Sequence, residues 1–148
     1  MAYKNASSTY KETKVKTASQ GQLIIMLYDE AVRQLTLSIE LLQINTSEKK
    51  DPGKIEKISK AVMKAEEIIT ELMVSLDFEQ GGEIAKNLYS LYSWFNRELM
   101  EANIAQEMDR IKTVRDMLLD LRNTWNDIAG KHTVEPVNRE AVGLNIAG

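Results

Sequence analysis

The residues that could do acid–base or metal chemistry are few, and their spacing does not predict a catalytic site. The sequence contains one histidine, His132, and no cysteine. A di-iron helical bundle needs paired Glu-x-x-His motifs, whereas His132 stands alone beyond Gly130 and beyond the last predicted helix. The adjacent carboxylates Glu66 and Glu67 lie among lysines, as on a solvated helix face. We therefore predict that the chain is not an enzyme and binds no metal or other cofactor.

Charge and hydropathy narrow the range of partners. The 148 residues carry a net charge of −3, which does not favour binding to nucleic acid or to an anionic membrane. Residues 1–20 hold four lysines and one glutamate, a local net charge of +3. The N-terminus has no apolar stretch typical of a secretory signal, and no apolar run reaches the roughly 18 residues of a membrane-spanning helix. We expect no nucleic-acid binding and no membrane insertion.

One predicted helix carries more apolar surface than a bundle core uses. A helix packed on one side needs an apolar stripe somewhat over about 100° wide, but residues 83–103 spread theirs over roughly 240° of the helix. Beside the core stripe, one flank interleaves aromatic, thioether and amide side chains, a mixture suited to contact with another polypeptide. These side chains are Tyr89, Asn96, Met100 and Asn103. The alternative is a helix that packs on two sides within its own bundle.

The elements that position this flank are four segments with helical period. Apolar residues recur at intervals of three and four, which predicts helices over about 20–43, 54–76, 83–103 and 107–129. Helices of matched length joined by short connections are typical of an antiparallel four-helix bundle. We predict one all-α domain with the bundle over 19–130, a flexible N-terminal arm over 1–18 and a short tail over 131–148.

Helix boundaries are predicted from capping residues and helix breakers. Ser19 with Gln22 has the spacing of a capping box. Asp51–Pro52 combines a preferred N-cap with the residue favoured at the first helical position. Gly81–Gly82 predicts the turn between the second and third helices. Asn103 is the residue expected to adopt the left-handed conformation that ends the third helix.

Four segments, in this order along the chain, resemble the FliS family of flagellin-specific export chaperones. They are TASQGQLIIMLYDEAV (17–32), LDFEQGGEIAKNLYSLYSW (76–94), ELMEAN (98–103) and LLDLRNTW (118–125). The resemblance extends from about residue 10 to residue 129. It implies a small cytoplasmic antiparallel bundle that binds the disordered C-terminal segment of flagellin. Such chaperones prevent premature polymerisation and deliver the subunit to the flagellar type III export gate, and other flagellar regulators are further candidate partners.

The resemblance also implies a set of partner-binding residues. Carried over onto matching positions, these are Tyr10, Tyr28, Ile84, Asn87, Leu88, Leu91, Tyr92, Leu99 and Asn103. The N-terminal arm is expected to cap the binding groove in the free protein, with Tyr3 and Tyr10 as its anchors. An ordinary core role stays open for Ile84, Leu88 and Leu91.

Two further functions remain compatible with the pattern. The extra apolar arc of the third helix would also fit a homodimeric adaptor in which a second copy covers it. Alternatively, the bundle would be a regulator that binds a folded flagellar partner.

Overall fold

The computed structural model describes residues 20–45 and 51–134, and regular structure within this part of the chain is entirely α-helical. The four helices are α1 (Gln20–Ile44), α2 (Pro52–Val74), α3 (Phe78–Ala105) and α4 (Met108–Val134). The arm with Tyr3, Tyr10 and the proposed cap Ser19 lies outside the described residues, as does most of the predicted tail. The prediction of an all-α four-helix fold is confirmed.

The helices pack as a ring in which each touches the next. α1 lies against α2 and α4, and α3 completes the ring by packing on α2 and α4. Ser59 of α2 hydrogen-bonds Asn103 of α3, and Thr70 hydrogen-bonds Asn96. Because the residue numbers rise along α2 as they fall along α3, these two helices are antiparallel.

The core is built from the stripes that the periodicity predicts. α1 buries Tyr28, Leu35 and Ile39 among others. α2 buries successive members of its three-and-four series, from Ile58 to Leu72. Burial of each large aliphatic side chain contributes about 1.5–3 kcal/mol, so the stripes supply much of the force that assembles the bundle.

The start of α2 agrees with the sequence. Asp51 is the N-cap in an extended conformation, its carboxylate accepts a hydrogen bond from the Gly53 backbone N–H at 2.9 Å, and Pro52 opens the helix. Pro52 costs nothing there because the first backbone N–H groups of a helix have no partner within the helix.

The prediction that Gly81–Gly82 forms the turn between two helices is wrong. α2 ends at Val74, and Asp77 caps α3 by accepting hydrogen bonds from the N–H groups of Glu79 and Gln80. Gly82 instead produces a kink inside α3, with φ 52° and ψ −127°. Only glycine adopts this backbone region at low cost, so the pair sets the direction of the first turn of α3 relative to the rest.

The end of α3 and the extent of α4 also differ from expectation. Gln106, not Asn103, takes the left-handed conformation, with φ 56°. Asn103 remains helical because its side chain hydrogen-bonds Ser59 across to α2. α4 continues past Gly130 as far as Val134, so His132 belongs to the last turns of this helix and not to a separate tail.

Candidate partner-binding seam

Three of the predicted partner-binding residues lie in the core. Tyr28 and Leu99 have no exposed surface, and Tyr92 is 1% exposed. In the intact bundle these three side chains have a core role, and their part in partner binding stays a prediction. The sequence pattern is the same for either role, because a wide apolar arc does not show which part of it faces the neighbouring helices.

Tyr28, Tyr92 and Trp125 form a buried aromatic cluster that joins three helices. The Tyr28 and Tyr92 hydroxyl groups hydrogen-bond each other, and Trp125 Nε1 donates to the Tyr28 hydroxyl oxygen at 3.1 Å. Burial raises the pKa of Tyr28 to about 12, and the pKa of Tyr92 is raised further by the same cause. Both rings therefore stay neutral, and the cluster fixes the position of α3 within the bundle.

The side of α3 that faces α4 is mostly covered by contacts within the bundle. Arg110 of α4 binds Glu98 with an Nη2–Oε2 distance of 2.7 Å, which marks that side of the helix. Leu88 and Leu91 are half-buried against the core, and Trp94 likewise packs on Phe95. Two predicted residues at the far end of this side, Ile84 and Asn87, are exposed.

The opposite side of α3 forms a seam with α2. Asn96 Nδ2 donates to Thr70 Oγ1 at 3.1 Å, and Ser59 Oγ donates to Asn103 Oδ1 at 3.1 Å. We define the α2–α3 seam as the residues at helical spacing around these two bonds. It comprises Ser59, Met63, Glu66, Thr70 and Val74 of α2 with Tyr89, Asn96, Met100 and Asn103 of α3.

Large apolar side chains are exposed along this seam. Met63 is 54% exposed and Met100, at the same level on the facing helix, is 51% exposed. Further along, Val74 is 80% and Tyr89 45% exposed. Phe78, from the turn before the kink, packs edge-on against Tyr89 with ring centroids 5.8 Å apart. The exposed apolar groups thus form two sets along one seam, Met63 with Met100 and Val74 with Tyr89 and Phe78, and such grouping favours an interaction surface over scattered exposure.

Sequence reasoning placed Tyr89, Asn96, Met100 and Asn103 on one flank, and the structure brings all four to the seam. It missed the contribution of α2, namely Met63, Glu66 and Val74. The sequence does contain a pattern that could have revealed it. Met63 lies seven residues before Thr70 and Val74 lies four residues after it, so helical spacing places all three on one face of α2. The amides also act differently from expectation, because each is already bonded to α2.

Two acceptor groups in the seam are poorly satisfied. Asn96 Oδ1 is enclosed and has no hydrogen-bond partner among the described residues. Glu66, predicted to be solvated, is half-buried, and burial together with the nearby Glu67 raises the pKa of its carboxyl group. A buried polar atom without a partner costs about 1–3 kcal/mol. The seam therefore combines exposed apolar groups with one enclosed, unpartnered acceptor and a half-buried carboxylate.

No catalytic or metal centre accompanies the seam in the described part of the chain. Within residues 20–45 and 51–134, His, Cys, Asp and Glu side chains nowhere gather in groups of three or more that could hold a metal ion. None of the described helices is both long and apolar enough to span a bilayer.

Comparison with known proteins identifies relatives over most of the chain. The sequence profile of the family described as flagellar protein FliS matches residues 3–132. The flagellar secretion chaperone FliS of Salmonella typhimurium is 35% identical over 81% of this chain and 84% of its own length. FliS of Escherichia coli strain K12 is 32% identical over 78% and 80%. FliS of Bacillus subtilis strain 168 is 27% identical over 84% and 86%.

These relatives are named as chaperones, which confirms the predictions of family resemblance and of a non-enzymatic protein. The matched region includes all of α1, α2 and α3 and most of α4, so the seam and the aromatic cluster both lie within it. The chain is a member of the FliS family of flagellar secretion chaperones.

Proposed function

We propose that this protein is a cytoplasmic export chaperone that binds the disordered C-terminal segment of flagellin along the α2–α3 seam. The single observation that supports this most is the exposure of Met63, Met100, Val74 and Tyr89 along the same seam between two packed helices. A preformed groove with apolar anchors at helical spacing suits a segment that becomes helical as it binds.

The energetics favour a disordered client. Coupled folding and binding buries roughly 1,000–3,000 Å² and costs about 2–5 kcal/mol or more in ordering the segment. Flexible methionine side chains adapt to varied contacts, while the amides Asn96 and Asn103 hold α3 against α2 beside them. Such an interface holds the client and still releases it during export.

Covering the client segment has two consequences for flagellin. Apolar surface that would pair with other subunits is shielded, so premature polymerisation and proteolysis are both suppressed. The bundle then presents the loaded subunit to the flagellar type III export gate. Other flagellar regulators are candidate partners for the surfaces outside the seam.

The N-terminal arm supplies a second element of the proposed mechanism. Tyr3 and Tyr10 would anchor the arm over the groove in the free protein, and its lysines keep it soluble. Deleting residues 1–16 then increases the affinity or the association rate of the flagellin peptide, measured by stopped-flow fluorescence. Unchanged kinetics would contradict the cap.

The test of client binding is calorimetric titration with a peptide of roughly the last 40 residues of the same organism's flagellin. Tight 1:1 binding, a negative heat-capacity change and a gain of helix by circular dichroism are expected. No binding at high micromolar concentration, with residues 1–16 present or deleted, would overturn the proposal. Binding without a gain of helix would indicate a folded partner surface instead.

Substitutions in the seam locate the interface. Tyr89→Ala and Met100→Ala should each weaken peptide binding by about tenfold or more, because large central contacts dominate binding energies. Leu119→Ala is the control, since Leu119 of α4 is 40% exposed and lies away from the seam. Sedimentation of the same variants tests the dimer alternative, which requires a wild-type dimer that Met100→Ala dissociates.

A further inference from the structure

Glu66 occupies an unusual place for a carboxylate. It lies seven residues after Ser59 and four before Thr70, and those two residues bond α3, so Glu66 is on the side of α2 that forms the seam. It is half-buried there. Among the described residues, no lysine or arginine forms an ion pair with it.

Asn96 lies beside Glu66 on the facing helix. Its Nδ2 group is used by Thr70, and the Thr70 hydroxyl in turn donates to the backbone carbonyl oxygen of Glu66. The remaining acceptor, Asn96 Oδ1, is enclosed and unpartnered in the described part of the chain. One patch of the seam therefore combines a half-buried carboxylate with an enclosed amide oxygen.

The patch lies between two apolar pairs. Met63 and Met100 lie at one end of it, and Val74 and Tyr89 lie at the other. Met63 and Val74 are eleven residues apart, which is about 16 Å along a helix at 1.5 Å per residue. A bound helical segment spanning the seam would therefore carry apolar residues roughly one to two turns on either side of a polar one.

We propose that the seam selects a client segment that places a lysine or arginine side chain against Glu66, between the two sets of apolar anchors. The inference rests on the proposed binding of a flagellin segment to this seam and adds the chemistry by which the seam sets register and specificity. Glu66 supplies the charge complement, while Asn96 Oδ1 is enclosed and stays out of the client's reach.

The physical reason is that the carboxylate of Glu66 is unfavourable in the free protein. It is half-buried and has no ion-pair partner among the described residues, and burial disfavours its charged form. A cation from the client supplies the missing partner, and a hydrogen bond between charged groups is stronger than one between neutral groups. A neutral segment of the same shape would leave the carboxylate without a partner, and a segment with an acid at this position would be repelled.

The test compares two adjacent carboxylates. Glu66→Gln and Glu67→Gln remove the same charge, but Glu67 is exposed and lies outside the seam. We expect Glu66→Gln to weaken binding of the flagellin C-terminal peptide by about tenfold, which corresponds to about 1.4 kcal/mol. Glu67→Gln should change the affinity by less than about twofold, as expected for an exposed charge.

The stability of the Glu66→Gln variant distinguishes a role in binding from a role in the fold. Glu66→Gln should leave the urea midpoint unchanged or raise it, because it removes a desolvated charge. A lower midpoint together with weaker binding would indicate that Glu66 supports the fold, and would overturn the inference.

A double-mutant cycle identifies the client's cation. Each lysine and arginine of the peptide is replaced in turn by glutamine, and binding is measured to wild type and to Glu66→Gln. One replacement should lower wild-type affinity about tenfold and have little further effect on Glu66→Gln. Additive effects at every position, or equal effects of the two carboxylate variants, would overturn the inference while leaving the proposed chaperone function intact. Failure of the peptide to bind wild type would overturn both.

Discussion

Tyr89 and Tyr92 are three residues apart on α3, and they belong to different parts of the molecule. Tyr92 is 1% exposed and its hydroxyl group bonds Tyr28. Tyr89 is 45% exposed and touches Phe78, itself exposed at the end of the seam. The difference shows that one helix presents one aromatic residue to the core and another to the outside of the bundle, separated by less than a full turn.

The same contrast holds for the regions around them. The aromatic cluster of Tyr28, Tyr92 and Trp125 satisfies its polar atoms internally. The α2–α3 seam leaves an acceptor of Asn96 unpaired and the carboxylate of Glu66 half-buried. Internal satisfaction is typical of a region that stabilises the fold, whereas unmet hydrogen bonding next to exposed apolar groups favours a role in binding.

The largest expected effect comes from truncating the two tyrosines. Tyr92→Ala should lower the free energy of unfolding by about 3–5 kcal/mol, because it opens a cavity in the core. Tyr89→Ala should lower it by less than about 1 kcal/mol, since an exposed side chain loses few contacts. Urea denaturation measures both. Similar losses for the two variants would remove the distinction between core and seam.

Removing single hydroxyl groups sharpens the comparison. Tyr28→Phe deprives the Trp125 N–H group of its acceptor and the Tyr92 hydroxyl group of its partner, which should cost about 1–3 kcal/mol. Tyr89→Phe, its matched control, should change stability by less than about 0.5 kcal/mol, as for an exposed position. If chemical denaturation gives equal losses of unfolding free energy for Tyr28→Phe and Tyr89→Phe, the buried hydrogen bonds do not hold α3 in place.

Gly82→Ala tests the element that carries Phe78 to Tyr89. Alanine at φ 52° should cost about 1–2 kcal/mol, even though a Cβ atom at this position meets nothing within 4 Å. The Phe78 ring should also move away from Tyr89, which NMR chemical shifts of the Tyr89 ring would report. Gly53→Ala, in α2 and not at positive φ, should cost less, and an equal loss would show that the kink is not the cause.

The smallest effect is expected at the ion pairs between α3 and α4. A hydrogen bond from Arg110 is the main cause of the lowered pKa of Glu98. Because the pKa is lower in the folded state, this stabilisation is present above the ordinary carboxyl value of 4.5 and is lost as the pH falls through the folded value. The difference in Tm between wild type and Arg110→Gln should therefore be small at neutral pH and disappear in acid.

Arg115→Gln is the control for this experiment, because Arg115 binds only its neighbour Asp116, at 3.0 Å, among the ion pairs of the described residues. The Tm difference between Arg115→Gln and wild type should not change with pH as the Arg110→Gln difference does. A difference for Arg110→Gln that persists at pH 3 would show that packing of the arginine side chain, and not its charge, connects the two helices.

Several features of the fold followed from the sequence because they are local. The Asp51–Pro52 start of α2 depends only on capping and on the geometry of proline, and it was predicted correctly. The Gly81–Gly82 prediction failed because two glycines permit either a chain reversal or a kink. Asp77, four residues before Gly81, accepts hydrogen bonds from the first N–H groups of α3. The helix therefore begins before the glycine pair, and the pair becomes a kink.

The candidate site was predicted only from the α3 side. Tyr89, Asn96, Met100 and Asn103 were recognised as excess polar and apolar surface on one helix. Tyr28, Tyr92 and Leu99 were also predicted as binding residues, and the structure buries all three in the bundle, because their residue types fit a core as well as a binding surface. Glu66 was missed since a carboxylate among lysines is usually solvated, and only the neighbouring α3 makes it half-buried.

By itself the sequence determined that the protein is a bundle of four amphipathic helices, and it showed which stripe of each helix faces inwards. Both follow from the spacing of apolar residues along the chain, which is a local property. Only the tertiary structure decided which flank of α3 stays open, which tyrosine is enclosed and which acceptors lack donors. Those properties depend on how neighbouring helices are placed, and exposure and desolvation arise from atoms far away in the chain.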